Sequence, residues 1–585
     1  MIKKITIIFC TIIILLIIIL TYLNFYGIET TRFNSLIKNE IKSHDNRLDV
    51  KLKKVKLLLD LKNFSIKVKT LNPTIIYNQK KIDIEKLSTI FSLKSYFNKN
   101  FVVKNILVST KETSIKDLIY IGKSIRNSAQ LLIFSQIIKK GTAKAIIDLR
   151  FDENGKIKSD YNINGITKNI QLNLPKNQKV NNIAFDFNIK DKNFKFENIY
   201  FNYNKINFFS KSILLKNRES DYFIEGNLKN NETLLNSDIL SIFLNNNLNH
   251  LEINNTKVKS DSTFYLQLSK KFKIIDYGIK SKLNLNEIKY KLKSKLTKKY
   301  LENYKDIINI HNSIINIQYS KNNLIINGLS KYSINDFKNA LDFKIEKVKD
   351  NYNFDINIDF NKTEININEL NYKKSKDKKA ILEISGKYQK DKNLLFEKIN
   401  FIENENNISV KGLTINPNKD YKISKIKNIN LKYLNNAGIN NDIKIINKKQ
   451  NYYISGKVFD GTKLINDITE SDSKSNILKN FDNLNSLIKV KIDKVYLDKQ
   501  NIVNNLKGDI ELSRNKIIDL NLNSKFSKDE KLYISIKSTN NNETITTLYS
   551  DRAVPFVKNY KFIKGFEDGV LDFHSIKKIM FQNRC

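Results

Sequence analysis

From Leu61 onward, apolar and polar residues alternate along most of the chain, and no other property restricts its fold as much. Phe64, Ile66 and Val68 are interleaved with Ser65, Lys67 and Lys69, the pattern of a strand with one apolar face. Asn72-Pro73 interrupts it, and Ile75 to Ile84 resumes the extended character. Ala145, Ile147, Leu149 and Phe151 lead into a turn at Asp152-Glu153-Asn154-Gly155, after which Ile157, Tyr161 and Ile163 run back. The same reading gives Ile183, Phe185, Phe187 and Ile189 returning as Phe194 and Phe196. Ile315, Ile317 and Tyr319 return as Leu324 and Ile326, and Gly508, Ile510 and Leu512 as Ile518, Leu520 and Leu522. The clearest hairpin runs through Tyr352, Phe354, Ile356, Ile358 and Phe360, turns at Asn361-Lys362-Thr363 and continues as Ile365 and Ile367.

Helical spacing is scarce by comparison. Thr113 to Lys139 is the best soluble candidate, with Ser114 and Asp117 as a capping box and Gly141 to end it. Arg32 to Lys56 is polar and reads as a helix leaving the N-terminal segment. Leu234–Phe243, Tyr300–Ile310 and Ile477–Ile488 are weaker patches, the last preceded by a polar loop over Glu470–Ser475.

Ahead of the alternation lies Ile5 to Leu23, which carries no charge. Such a helix rises about 1.5 Å per residue and spans roughly 30 Å, the hydrocarbon thickness of a bilayer. Lys3 and Lys4 precede it and no basic residue follows before Arg32, which places the N-terminus in the cytoplasm and the remainder outside. A cleaved signal peptide is the alternative. Against it stand an apolar run longer than the usual ~7–15 residues and the lack of a small-x-small site after Leu23.

The 585 residues carry a net charge of +41, which raises nucleic acid as a partner. Yet the lysines are spread evenly, with no zinc-finger spacing, RNP-like aromatic cluster or helix-turn-helix signal. Anionic lipid head groups, or solvent alone, account for that charge. Two cysteines, Cys10 and Cys585, cannot make a disulfide framework or a structural zinc site. Gly122-Lys123-Ser124 echoes a P-loop, but Asp117 stands where its first glycine belongs. His44, His250, His311 and His574 are scattered, and neither GxSxG nor GxGxxG occurs. These readings give no catalytic, cofactor or metal residues and no enzyme.

Each alternating strand must bury one face, yet the helices are too few to cover so large a sheet. Either the sheet closes on itself around a dry core, or its apolar face lines a groove filled by another molecule. The expected fold is mainly β. It comprises an N-terminal transmembrane helix, an elongated, twisted antiparallel β-sheet groove of taco-like section, and a few short helices. At about 4.8 Å per strand, some 25 strands would extend roughly 120 Å. Phe185, Phe187, Ile189, Phe194, Phe196, Phe354, Ile356, Ile358, Phe360, Ile510 and Leu512 are the candidate lining residues, and Ile5 to Leu23 the membrane anchor.

The segments Ser455-Gly456-Lys457-Val458-Phe459-Asp460, Val495-Tyr496-Leu497 and Leu506-Lys507-Gly508-Asp509-Ile510 resemble the late region of the AsmA-like family, specifically its YhdP branch. Ile534-Ser535-Ile536 continues the likeness, as does Ala553-Val554-Pro555-Phe556 running to Phe562-Ile563-Lys564-Gly565-Phe566-Glu567-Asp568-Gly569-Val570-Leu571-Asp572-Phe573. The anchor, the strand entering Asn72-Pro73, and Phe264 to Leu285 are similar to that family too. The resemblance implies an inner-membrane protein of a Gram-negative bacterium with a periplasmic body, related to TamB and to the chorein-type bridge-like lipid carriers. It also implies phospholipid as cargo, the outer membrane or one of its proteins as a partner, and a role in envelope integrity. In the family more strands and an amphipathic portion follow the segment like Gly569–Phe573, so the chain reads as C-terminally truncated.

The expected organisation is an anchor over 1–28, a membrane-proximal start of the groove over 29–141, and a hairpin body over 142–469. A flexible loop at 470–476 and an incomplete AsmA-like region at 477–585 complete it. The function expected is phospholipid transfer along the groove without catalysis. The alternative is a closed-core periplasmic scaffold that assists outer-membrane protein assembly through its strand edges.

Overall fold

A computed structural model describes the chain apart from residues 1, 45, 94–102, 126–128, 153–157, 159, 175–177, 192, 236–250, 253–254, 302–303, 335–336, 390–391, 420, 464–476, 528, 540–542, 558–568 and 579–585. The protein is mainly β, with 67% of residues in strands, too many for its few helices to cover. Among the described residues thirty-four strands belong to one twisted, mixed sheet, beside a separate two-stranded sheet. By internal contacts the chain divides into a unit of residues 1–234 with 258–281 and a unit of 235–257 with 282–585.

In the first unit the apolar helix Ile2–Phe25 is exposed along its length and ends at Gly27, which takes φ +68°. A second helix, Asn34–His44, is followed by strands from Leu48, so the polar segment does not continue as one helix to Lys56. Antiparallel pairing then proceeds from Val55–Asp60 through Ser65–Leu71, Lys80–Ser92, Val103–Thr110, Ile138–Arg150 and Asn162–Leu174. It continues through Gln178–Lys190, Asn193–Tyr203, Ile206–Asn217 and Asp221–Leu234.

The helix expected over Thr113–Lys139 is two helices, Ile115–Ile125 and Ala129–Ile137. Gly141 does not cap them. It lies inside the next strand at φ +136°, where a Cβ would stand 2.8 Å from the Ile170 backbone. Asp117, in the first turn of Ile115–Ile125, pairs with Lys80 at 3.2 Å.

In the second unit the ladder runs from Ile307–Ser320 through Asn323–Ile334, Phe337–Val348 and Asn351–Asp359 to Ile381–Gln389. Leu394–Glu403, Asn406–Asn416, Asn428–Leu434, Asn440–Lys448 and Asn451–Asp460 extend it. It ends through Ser486–Tyr496, Ile502–Ser513, Lys516–Lys525, Lys531–Ser538, Glu543–Ser550 and Leu571–Lys578.

Several expectations fail in this unit. The described residues after Tyr300, up to Ile310, are not helical. The helix is Lys295–Tyr300, N-capped by the Ser294 hydroxyl, and the β-branched residues from Ile307 join a strand. Ile477–Ile488 is a 3₁₀ turn at Ile477–Asn480 followed by the strand Ser486–Tyr496. That strand lies parallel to Asn451–Asp460, so the sheet is not purely antiparallel. The helix read at Leu234–Phe243 and the loop read at Glu470–Ser475 fall largely or wholly outside the described residues.

The hairpin that looked clearest also fails. Asn351–Asp359 pairs with Ile381–Gln389, and Ile365–Ile367 pairs instead with Tyr372–Lys374 in the separate two-stranded sheet. Packing overrides the local pattern here, since Ile365 and Tyr372 are buried against Phe360, Phe401 and Tyr433. Lys374 is fully buried within this flap and donates from Nζ to the carbonyls of Thr363 (2.8 Å) and Ser375 (3.0 Å). The buried Glu403 carboxylate accepts from the Tyr372 hydroxyl and from Asn406 (2.8 Å), and burial with that carboxylate beside it pushes the phenol pKa up.

Strand glycines lie under rings from the neighbouring strand, among them Gly165 under Phe187, Gly328 under Phe343 and Gly386 under Phe354. A Cβ on Gly328 would stand 2.2 Å from the Phe343 ring. Gly328→Val should therefore cost about 1–3 kcal/mol in denaturant unfolding. Adding Phe343→Ala should recover part of that loss, and strictly additive losses would show that the ring does not need the glycine.

Candidate functional site

Residues directly opposite one another in a ladder project from the same side of the sheet. In the second unit one such row begins at Ile315 and Gly328 and passes through Phe343, Ile356, Ile384 and Ile399. It goes on through Val410, Ile429, Ile445 and Ile454 to Val490. Gly508, Leu522, Ile534, Leu548 and Phe573 complete it at the last described strand. Every member is apolar or glycine.

The adjacent row, one residue along and on the opposite face, starts Asn316, Asn327, Lys344, Asp355, Ser385 and Lys398. Its other end is Lys489, Asp509, Asn521, Ser535, Thr547 and His574. Lys344 pairs with Glu346 at 2.6 Å and Lys398 with Glu383 at 2.6 Å. Hydrogen bonds from Asn400 and Lys398 hold the Glu383 carboxyl below its ordinary range. Exposed pairs of this kind contribute little stability; they mark the wet face.

The first unit repeats the arrangement independently. Val108, Ile147, Ile163, Ile189, Phe194, Leu215 and Ile224 form one apolar row. Ala145, Gly165, Phe187, Phe196, Ile213 and Gly226 form the next. Phe185 joins them, its ring 5.3 Å from Phe196 and 6.3 Å from Phe187, edge-on in both cases. The opposite face carries Asn164, Asn188, Lys195 and Glu225, with Leu214 among them.

Burial separates two kinds of apolar position along these faces. Ile315, Phe343, Ile356, Ile384 and Ile399 are only half-buried, as are Phe187, Ile189, Phe194 and Phe196. Further along the second unit Ile443, Val490, Ile492 and Leu532 are buried in a core with Phe556. The eleven candidate lining residues thus all lie on the apolar faces, but not all are open. Phe360 sits at 9% exposure under the two-stranded flap, and Leu512 at 3%.

Toward one set of hairpin turns the second unit's apolar face changes character. Tyr319, Leu324, Lys347, Tyr352, Tyr388 and Leu394 form the row there. The Lys347 ammonium lies 5.2 Å from the Tyr352 ring centre. In the first unit Lys270 lies 4.4 Å over Tyr222. Sequence alternation foretold the apolar sides, but these basic-aromatic margins depend on register, which short-range pattern does not fix.

Among the described residues no group of three or more His, Cys, Asp or Glu is placed to hold a metal ion. Gly122-Lys123-Ser124 lies inside the helix Ile115–Ile125. His311 is half-buried beside Ser333 Oγ at 3.1 Å, and burial lowers its pKa. Comparison with protein-family models, curated proteins and solved structures finds no match for this chain.

If the half-buried row lacks protein cover, truncating it should cost little. Ile356→Ala or Ile384→Ala should each lower unfolding stability by about 1 kcal/mol or less, against about 2–5 kcal/mol for the buried Ile443→Ala. Equal losses at the three positions would reveal a dry core on all of them.

Proposed function

We propose that this protein is a membrane-anchored, non-enzymatic carrier of phospholipid, with acyl chains held against the apolar faces of its sheet. The observation that carries this reading is the row from Ile315 to Phe573, unbroken by a polar side chain and only half-buried at Ile315, Phe343, Ile356, Ile384 and Ile399, before it runs into the cores around Phe481 and Val490. An ordinary core would leave few such residues uncovered. Burying acyl chain is worth about 0.8 kcal/mol per CH₂. A lining of near-equivalent Ile, Val, Leu and Phe side chains offers no single deep minimum, so a chain can slide along it.

The margins suit the other half of such a ligand. Tyr352 with Lys347, and Tyr222 with Lys270, place aromatic and cationic groups where an anionic head group would leave the apolar strip for water. The N-terminal helix supplies the membrane attachment, with Lys3 and Lys4 on the cytoplasmic side and the sheet outside. The resemblance to the AsmA-like family favours the periplasm as compartment and the outer membrane as destination.

A photoreactive residue at Phe187 or Ile356 should yield adducts whose added mass is that of a phospholipid. The same probe at Asp186 or Asn357, on the opposite face, should not. Ile356→Glu should abolish lipid recovery while the far-ultraviolet circular dichroism stays that of a β protein. Protein adducts in place of lipid at Phe187 and Ile356 would favour the scaffold reading.

A further inference from the structure

The end of the apolar helix and one turn of the first unit lie together. The N–H groups of Tyr26 and Gly27 both donate to the Tyr22 carbonyl, at 2.8 and 3.1 Å, which closes the helix. The next residues, Ile28–Thr30, pair antiparallel with Leu57–Val55. A Cβ on Gly27 would stand 2.3 Å from the Leu57 carbonyl oxygen, so the chain leaves the helix directly against this strand. Because the pairing is antiparallel, positions before Ile28 run beside positions after Leu57, toward the turn of residues 61–64.

That corner is apolar and exposed. Phe25 is 72% exposed and Tyr26 68% at the helix end, with Leu61 at 43% and Phe64 at 61% in the turn. Phe64 also holds φ +46°, a left-handed conformation in which a bulky side chain is strained and glycine or asparagine is the ordinary occupant. Asp60 fixes the turn by accepting from the Asn63 N–H at 3.0 Å and from its Nδ2 at 2.9 Å. Water rewards neither the strained backbone nor the exposed ring. A lipid interface rewards the ring, and Lys62 beside it is placed to meet head groups.

We propose that the turn Leu61–Phe64 inserts into the interfacial layer of the bilayer that the N-terminal helix crosses, bringing these strand ends onto the membrane. The row Leu59, Ile66 and Phe91 on the adjoining strands then starts at the lipid surface, the point where an acyl chain would first meet the sheet. The inference rests on the helix being a retained span.

The test uses the full chain with Cys10 and Cys585 replaced by serine, reconstituted in phosphatidylethanolamine–phosphatidylglycerol nanodiscs with brominated acyl chains. Single cysteines at Ile14, Phe64 and Lys205 carry an environment-sensitive fluorophore; Lys205 is at the opposite strand ends, between Tyr203 and Ile206. The Phe64 label should be quenched to at least about half the extent of the Ile14 label, as expected for an insertion depth of roughly 5–10 Å. The Lys205 label should be unaffected. Quenching at Ile14 with none at Phe64 overturns the proposal and leaves the anchor intact. No quenching at Ile14 overturns the span and the proposal together, and disulfide-linked dimers of the unlabelled Phe64→Cys chain, with no lipid quenching of the labelled one, assign the turn to a second copy instead.

Discussion

Direct opposition of residues across a β ladder is the constraint on which this protein depends. A single-residue slip would turn every Ile, Val and Phe of a row toward water and bring lysine and asparagine into its place. The register instead keeps Ile315, Phe343, Ile356 and their partners on one side through successive hydrogen-bonded strands. Bulges, as between Ser385 and Gly386, are absorbed without breaking the apolar row, which resumes at Phe396 and Ile399. Gly165, Gly328 and Gly386 serve the same end, since each gives a ring room to lie flat across the neighbouring strand.

That constraint creates an unusual surface. A sheet normally spends its apolar face on a second layer, and the second unit does so around Ile443, Val490 and Phe556 and again beneath the flap at Phe360, Tyr372 and Tyr433. Other positions on the same face, such as Ile356 and Ile384, are only half-buried. The two cores anchor the strands, and the half-buried strip from Ile315 to Ile399 is the part of the face that the proposed ligand would cover. Lys374 and Glu403 are buried within the flap, where their hydrogen bonds are largely supplied.

Much of the fold was legible from one-dimensional pattern. Alternation marked many of the strands and the apolar set within each, and Ile5–Leu23 the apolar helix. The failures share a cause. Ile307, Ile308 and Ile310 fit helical and extended spacing about equally, and only pairing with Ser333 and its neighbours decides for the strand. Ile365 and Ile367 alternate as a returning hairpin would, yet contact with Phe360 and Phe401 takes them elsewhere. The parallel strand after residue 485 and the Tyr352–Lys347 margin depend on partners distant in sequence, which local spacing does not encode.

The account turns on whether the strip is filled. Native mass spectrometry with lipid extraction, on the full chain released gently from a membrane that contains phosphatidylethanolamine and phosphatidylglycerol, addresses this most directly. We predict several phospholipids bound per chain, retained after detergent exchange. A folded, protease-resistant chain that carries none would contradict the account and leave the apolar rows as the inside of a closed protein core.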